Sequence, residues 1–259
     1  EFSNIDSIST WGGEDNDPPD YGRVYVCIKP LLAETLTTAE KTNITGAILK
    51  GKNVVSITPQ IVDPNFTYLE LDVSFKYNPN LTDRSSVDLQ SVVRDTITDY
   101  NFNNLNKFDG VFRHSQLTRN IDNSDPAILN TTVRPRMFQN ITPVNNALNN
   151  FSLSFSSPFF QSGDSTSFLI SSSAFKINNV DHFFGDEPIT DSSKRNVIVY
   201  KVVNDVNTTV IKSAGEIDVD KGKITLNNFT PDAVTPIKIT VLPNSLDLGP
   251  KRDQLISID

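Results

Sequence analysis

The sequence holds one cysteine, two histidines, one tryptophan and one methionine in 259 residues. With a single thiol, Cys27, no intrachain disulfide can form. One Cys and two His also cannot build a tetrahedral zinc site within one chain. Cys27 sits in an apolar stretch and reads as a small buried hydrophobe rather than a reactive thiol. Cations are short as well: 23 Lys and Arg stand against 31 Asp and Glu, a net charge of −8. A nucleic-acid binder displaces counterions with a positive stripe, and no Lys/Arg run supplies one, so nucleic acid is not an expected partner. No apolar run approaches the ~18 residues of a membrane span, so no membrane insertion is expected. No basic n-region leading into an apolar h-region opens the chain. Opening on Glu1 rather than Met, the chain is expected to be a fragment or a processed product.

Reactive constellations are missing too. There is no P-loop, no Gly-x-Gly-x-x-Gly turn and no Gly-x-Ser-x-Gly elbow. His114 and His182 read as structural or surface residues rather than as members of a triad. With 31 acids, any carboxylate pair is cheap to propose and means little. The run Asp15-Asn16-Asp17-Pro18-Pro19-Asp20 lacks the spacing of a calcium loop and reads as a solvated turn. Asp218-Val219-Asp220-Lys221-Gly222 fits a hairpin turn better than a calcium site. No catalytic residue, cofactor or metal is therefore expected, and the chain does not read as an enzyme. Eight Asn-x-Ser/Thr sequons, at Asn43, Asn65, Asn80, Asn130, Asn140, Asn150, Asn207 and Asn228, are read as a by-product of an Asn- and Thr-rich composition.

What is present is patterning. Phe66 to Tyr77 alternates without a slip. Thr67, Leu69, Leu71, Val73, Phe75 and Tyr77 fall on one face, and Tyr68, Glu70, Asp72, Ser74 and Lys76 on the other. This predicts a strand with one buried face and a tightly fixed register. Before it, residues 1–21 read as an extended arm. Arg23 to Ile28 reads as a central strand. Thr37 and Glu40 form a capping box for a helix with Ile44, Ala47 and Ile48 on its apolar stripe, stopped at Gly51. Val54 to Val62 is a second strand that Pro59 marks as an edge or a bulge. Asp63-Pro64-Asn65 is expected to turn it into a hairpin with 66–77.

After it, Ser85 and Asp88 cap a helix through Asn101, with Leu89, Val92, Val93, Ile97 and Tyr100 at helical spacing. Val111 to Ile121 is a shorter helix, and Ala127 to Phe138 another strand. The order strand, helix, strand, strand, helix, helix, strand is the ferredoxin-like split β-α-β pattern, an antiparallel sheet covered by helices on one face, over residues 22–141. From 142 to 259 helical stripes vanish. Strands are expected at 148–156, 165–170, 180–184, 197–203, 208–212, 216–219, 223–226 and 237–242, with a hairpin at Asp220-Lys221-Gly222. This second stretch reads as an all-β, sandwich-like domain, and the whole as α+β.

The 16 phenylalanines include two adjacent pairs, Phe159-Phe160 and Phe183-Phe184. Neighbours in a strand face opposite sides, so one Phe of each pair can point away from the core. Exposed aromatics anchor interfaces, which makes these four the interface candidates. A two-sided core, or a loop residue tucked under its neighbour, is the structural alternative.

Three segments carry a family resemblance: Trp11-Gly12-Gly13-Glu14-Asp15-Asn16-Asp17-Pro18-Pro19 with Tyr21-Gly22-Arg23-Val24-Tyr25-Val26, then Leu105 to Ser115 (Leu-Asn-Lys-Phe-Asp-Gly-Val-Phe-Arg-His-Ser), and Asp125-Pro126-Ala127-Ile128-Leu129. They are similar to the conserved module of the baseplate J-like family of phage proteins. Within it they most resemble the carboxyl-terminal part of the wedge subunits of T-even contractile-tailed phages. The resemblance covers the first half strongly and residues 142–259 only by position and composition. Its motifs are structural, so it implies an architectural role and no active site. It further implies a virion component, assembled in the host cytoplasm, that forms a homodimer, joins into a ring, contacts other wedge subunits and holds wedges together while the baseplate changes shape. Two other classes stay open at this point. One is a carbohydrate- or receptor-binding β module, suggested by the Asn-rich second half. The other is a hydrolase acting through His114 or His182.

Overall fold

The computed structural model describes residues 4–16, 18–46, 58–162, 167–190, 192–232 and 235–259. The chain is mixed α+β and mostly sheet. It divides into two compact units. The first comprises Glu1–Phe66, Tyr100–Phe112 and Gly249–Ser257; the second comprises Thr67–Asp99, Arg113–Leu248 and Ile258–Asp259.

In the first unit, β1 (Ile5–Gly12) pairs antiparallel with β2 (Arg23–Pro30), and β2 pairs in parallel with β3 (Thr58–Val62). Much of the segment expected to be an extended arm, Ile5–Gly12, is thus paired as a strand. Trp11 explains its placement: the ring stacks on Tyr25 at 5.6 Å while the indole N–H donates to Asn16 at 2.8 Å. Pro59 lies in β3, the edge strand where a missing donor costs least. Between β2 and β3 lies α1 (Thr38–Ile44). Its capping box is present: the Glu40 amide donates to the Thr37 hydroxyl at 3.3 Å and the Thr37 amide to the Glu40 carboxylate at 2.8 Å. Ala47, Ile48, Gly51 and Val54 lie outside the described residues. Among the described residues, two small cores lie in this unit. Ile28, Leu36 and Ile44 form one; Cys27, Phe108 and Leu255, the last from β14 (Gln254–Ile258), form the other.

Cys27 is fully buried at 0% exposure, and burial, reinforced by the Asp253 and Asp63 carboxylates, pushes its thiol up to about 12. The folded protein is expected to leave a thiol reagent such as DTNB unreacted at mildly alkaline pH and to consume its single equivalent only on unfolding. The unfolded thiol ionises near ~8.5 while the folded one stays protonated. This group's contribution is therefore retained at lower pH and lost progressively from about pH 8.5 upward. Rapid labelling of the folded chain would sink this placement.

The second unit is organised on β4 (Asn65–Tyr77) from Thr67 onward. Its faces separate as the alternation requires. Leu69 is buried and Leu71, Val73, Phe75 and Tyr77 are half-buried, while Glu70, Asp72, Ser74 and Lys76 are exposed. β4 does not form a hairpin with β3. It pairs antiparallel with β5 (Ile128–Ile141), with Val73 opposite Val133, and β13 (Ile237–Val241) and β7 (Ile170–Ser172) extend the sheet in the order β4-β5-β13-β7. The four strands expected to share one ferredoxin-like sheet thus lie in two. The 63–64 turn is short enough for a hairpin, but the long crossover through α1 leaves β3 free to pair in parallel with β2. The second half is likewise not a sheet system of its own, because β13 and β7 complete the sheet of β4 and β5.

Between β4 and β5 run α2 (Ser86–Asn104) and α3 (His114–Asp122). Ser85 and Asp88 cap α2 reciprocally, at 3.2 and 3.0 Å. Leu117 and Ile121 of α3 are fully buried.

The other sheet of this unit is antiparallel and six-stranded, ordered β6-β12-β11-β10-β9-β8. Its strands are β6 (Asn149–Ser154), β8 (Phe175–Ile177), β9 (Val180–Pro188), β10 (Lys194–Val203), β11 (Val206–Asp218) and β12 (Lys223–Phe229). The β11–β12 hairpin forms around Asp220-Lys221-Gly222 as expected, with Asp218 opposite Lys223. The segments 208–212 and 216–219 are joined in one long strand, β11. Phe184 packs on Phe175 at 4.7 Å and on Phe229 at 5.1 Å, an aromatic cluster at the centre of this core.

Candidate interaction surfaces

Both histidines are spent on the main chain. The His114 ring bonds the Val133 carbonyl through Nε2 at 2.9 Å, and the His182 ring bonds the Val180 carbonyl through Nδ1 at 2.8 Å. In the acidic run near the N-terminus, Asp20 accepts the Tyr25 hydroxyl at 2.6 Å and pairs with Arg23 at 3.1 Å, while Asp15 pairs with Arg252 at 3.0 Å. Asp17 lies outside the described residues. Asp218 accepts the amide of Lys221 at 3.0 Å, closing a turn. Among the described residues, no three His, Cys, Asp or Glu side chains converge as metal ligands would.

The phenylalanine pairs divide as strand geometry requires. Phe159 and Phe184 are buried, at 2% and 0% exposure, whereas Phe160 is 48% exposed. Phe183 is half-buried and stacks on Tyr200 at 5.6 Å. A Phe159–Pro243 bridge and the Phe160 amide, which donates to Leu242 at 2.9 Å, fix the first pair. Leu242 is itself exposed, so Phe160 belongs to an apolar spot rather than standing alone.

A second surface was not anticipated from sequence. β9 pairs with β10 only as far as Phe183 opposite Tyr200, and β12 pairs with β11 only as far as Leu226 opposite Gly215. Beyond those points β10 and β11 continue as a two-stranded ribbon, with Val202 opposite Asn207 and Val203 opposite Val206. Val202, Val203, Val206 and Val210 are all exposed. A ribbon this narrow gains little from its own burial, and its apolar side chains gain by being covered. The signal that marks it is Asn204-Asp205, with φ of 50° and 62°. Positive φ at both central residues makes a tight two-residue hairpin turn, and asparagine and aspartate tolerate that region where most side chains do not.

The outward face of β4 and β5 carries charge in register. Glu70 stands opposite Arg136 and Asp72 opposite Arg134. Lys238 of β13 donates to Glu70 at 2.8 Å and lies 3.9 Å from the Phe138 ring centroid. That ammonium holds the Glu70 carboxyl below the usual carboxylate range. Exposed pairs of this kind add little stability, and serve to fix cross-strand register.

The sequence motifs of the N-terminal half are used structurally. The Trp11 and Tyr25 contacts close one turn, and Leu105, Phe108 and Phe112 are buried. Comparison with known proteins agrees with that use. Residues 1–62 match the family model described as baseplate structural protein gp6, C-terminal domain I. Residues 65–140 match the model described as baseplate structural protein gp6, C-terminal domain III. The baseplate wedge protein gp6 of Enterobacteria phage T4 is 25% identical over 137 residues, which are 53% of this chain and 20% of that relative. The chain thus spans about a fifth of the length of the curated relative it matches. With two domains of one protein matched in succession, only Asp63 and Pro64 between them, this chain belongs to the baseplate structural protein gp6 family, in its C-terminal region.

Proposed function

We propose that this chain is a structural subunit of a contractile-tail baseplate wedge. It self-associates into a ring that joins neighbouring wedges and holds them while the baseplate changes shape. Its partners are copies of itself and other wedge subunits, its place is the tail baseplate of the virion, and it acts without catalysis. The observation that carries this reading is the pair of successive family matches over residues 1–62 and 65–140. The second match ends near residue 141, where the sequence changes texture, and residues 142–259 are proposed as β-rich structure built onto the matched part, sharing the sheet of β4 and β5. Phe160 and the valines of the β10–β11 ribbon are proposed as association surfaces, with Phe183 bracing the base of that ribbon through Tyr200.

Light scattering across protein concentration tests the reading. The chain is expected to self-associate at tens of micromolar, alone or with other baseplate proteins. Phe160→Ser is expected to raise the dissociation constant about tenfold without moving the urea midpoint, because an exposed ring anchors contacts rather than the core. A strictly monomeric species, alone and in mixtures, would sink the assembly role. Self-association unaffected by Phe160→Ser and by Val203→Thr with Val206→Thr would sink the choice of surfaces.

A further inference from the structure

β12 covers the outer edge of β11 only from Gly215 to Asp218. Toward the hairpin tip, no described strand pairs with that edge. Val203 and Val206 close the two-residue turn, so they exchange main-chain hydrogen bonds across the hairpin. Main-chain groups alternate in direction along an antiparallel strand. Those of Val206 and Thr208 therefore point to β10, and those of Asn207 and Thr209 point outward. No described residue bonds the outward groups. Every residue from Val202 to Val210 is exposed, so the faces of the ribbon are as open as its edge.

A free edge is a template for pairing, and proteins that stay monomeric blunt it with charge or proline. From Val206 to Ile211 this edge carries neither, and β11 bulges only beyond Thr209. Its sequence, Val206-Asn207-Thr208-Thr209-Val210, reads almost alike in both directions about Thr208. A two-fold contact asks for that property, because it sets a strand against its own reverse.

We propose that β11 pairs antiparallel with β11 of a second copy, about a two-fold axis at Thr208, joining two ribbons into a four-stranded sheet. This rests on the proposed self-association and gives that contact its geometry. Asn207 of each copy exchanges main-chain hydrogen bonds with Thr209 of the other, which employs all the outward groups of both residues. Thr208 meets itself, and Val206 falls beside Val210 of the other copy at either end. No like charges meet, since Asp205 stands opposite Ile211 and Lys212 opposite Asn204. An axis at Asn207 would set Val206 against Thr208, and an axis at Thr209 would set it against Lys212, so both lose the valine pairs. A foreign strand would find the same donors and acceptors; the near-palindrome is what selects a second copy.

Thr208→Cys in the full chain tests this. A residue that faces itself in such a pair has a Cα separation of ~4.5 Å, within the span a disulfide bridges. Mild oxidation at tens of micromolar is expected to link most chains into disulfide dimers. Lys201→Cys, opposite Thr208 on β10 and a strand further from the axis, should link few, and the parental chain, with only the buried Cys27, none. Thr208→Lys and Thr208→Glu each set like charges face to face and should weaken self-association about tenfold. An equimolar mixture of the two should restore it. Position 208 is exposed, so these changes should leave the urea midpoint in place. Self-association that persists without a Thr208→Cys link, or that ignores both charge variants, overturns this pairing and leaves the assembly role standing. Equal linking through Lys201→Cys and Thr208→Cys would mean chance collision and overturns it too. A parental chain that is strictly monomeric, alone and with baseplate proteins, sinks both.

Discussion

Replacing Asp186 by alanine is expected to lower stability by about 3–5 kcal/mol, the cost of breaking a buried ion pair from one side. Asp186 lies on β9 with its side chain fully buried, and Arg195 on β10 is 11% exposed beside it. One carboxylate oxygen accepts the amides of Leu169 and Ile170, at 2.7 and 3.0 Å, and the other accepts the Arg195 guanidinium. Removing it strands two main-chain donors and a buried cation together. Ile170 opens β7, so the same carboxylate links the start of that strand to β9. Asp186→Asn keeps an acceptor for the amides and should cost about 2 kcal/mol, less than the alanine change. Urea unfolding checks the order. An alanine variant within about 1 kcal/mol of the parent would mean that water reaches the site and that the pair is not a structural lock.

Gly215→Ala is expected to cost about 3–4 kcal/mol, a strained backbone compounded by a steric clash. Gly215 has φ of +149°, and a Cβ there would lie 1.9 Å from the Thr225 carbonyl oxygen of the paired strand. That distance is far inside contact, and the obstacle is backbone rather than a side chain that can rotate. The β11–β12 ladder, in which Gly215 faces Leu226, would have to open. Gly249→Ala is the control, since a Cβ there meets nothing within 4 Å. It should change stability by no more than about 0.5 kcal/mol. Equal urea midpoints for the two variants would refute the assignment of this close approach.

Gly215 is also where β11 parts from β12, on the way to the ribbon, and this bears on how the surfaces arise. Below it β11 is held on both sides, by β10 and β12; above it β11 pairs only with β10. The exposed valines are therefore not a defect in patterning. They lie on the part of a long hairpin that outruns its neighbours. The sequence predicts separate segments at 208–212 and 216–219 because β11 bulges between Thr209 and Gly215, where it carries extra residues against β10 and the alternation that marks a strand is interrupted. The turn was legible, but not by a search for glycine. Every described non-glycine residue with positive φ is asparagine or aspartate, among them Asn178, Asn179, Asn204 and Asp205. The asparagine-rich composition, taken as a background for chance sequons, in part supplies left-handed turns in a chain with only 11 glycines.

Local chemistry settled what the sequence alone determined here. The alternation of 66–77, the Thr37–Glu40 box, the Ser85–Asp88 cap and the opposite placement of each adjacent phenylalanine all follow from interactions a few residues long. The motifs around Trp11 and Leu105 likewise sufficed to suggest the family. Pairing was decided only by tertiary structure. Whether β4 would take β3 or β5, and whether β13 would close a sheet of its own or complete that of β4, depend on partners tens to hundreds of residues away. Hydrogen-bonding capacity is identical along every strand, so the sequence of one strand does not name its neighbour; the burial of side chains from distant segments does.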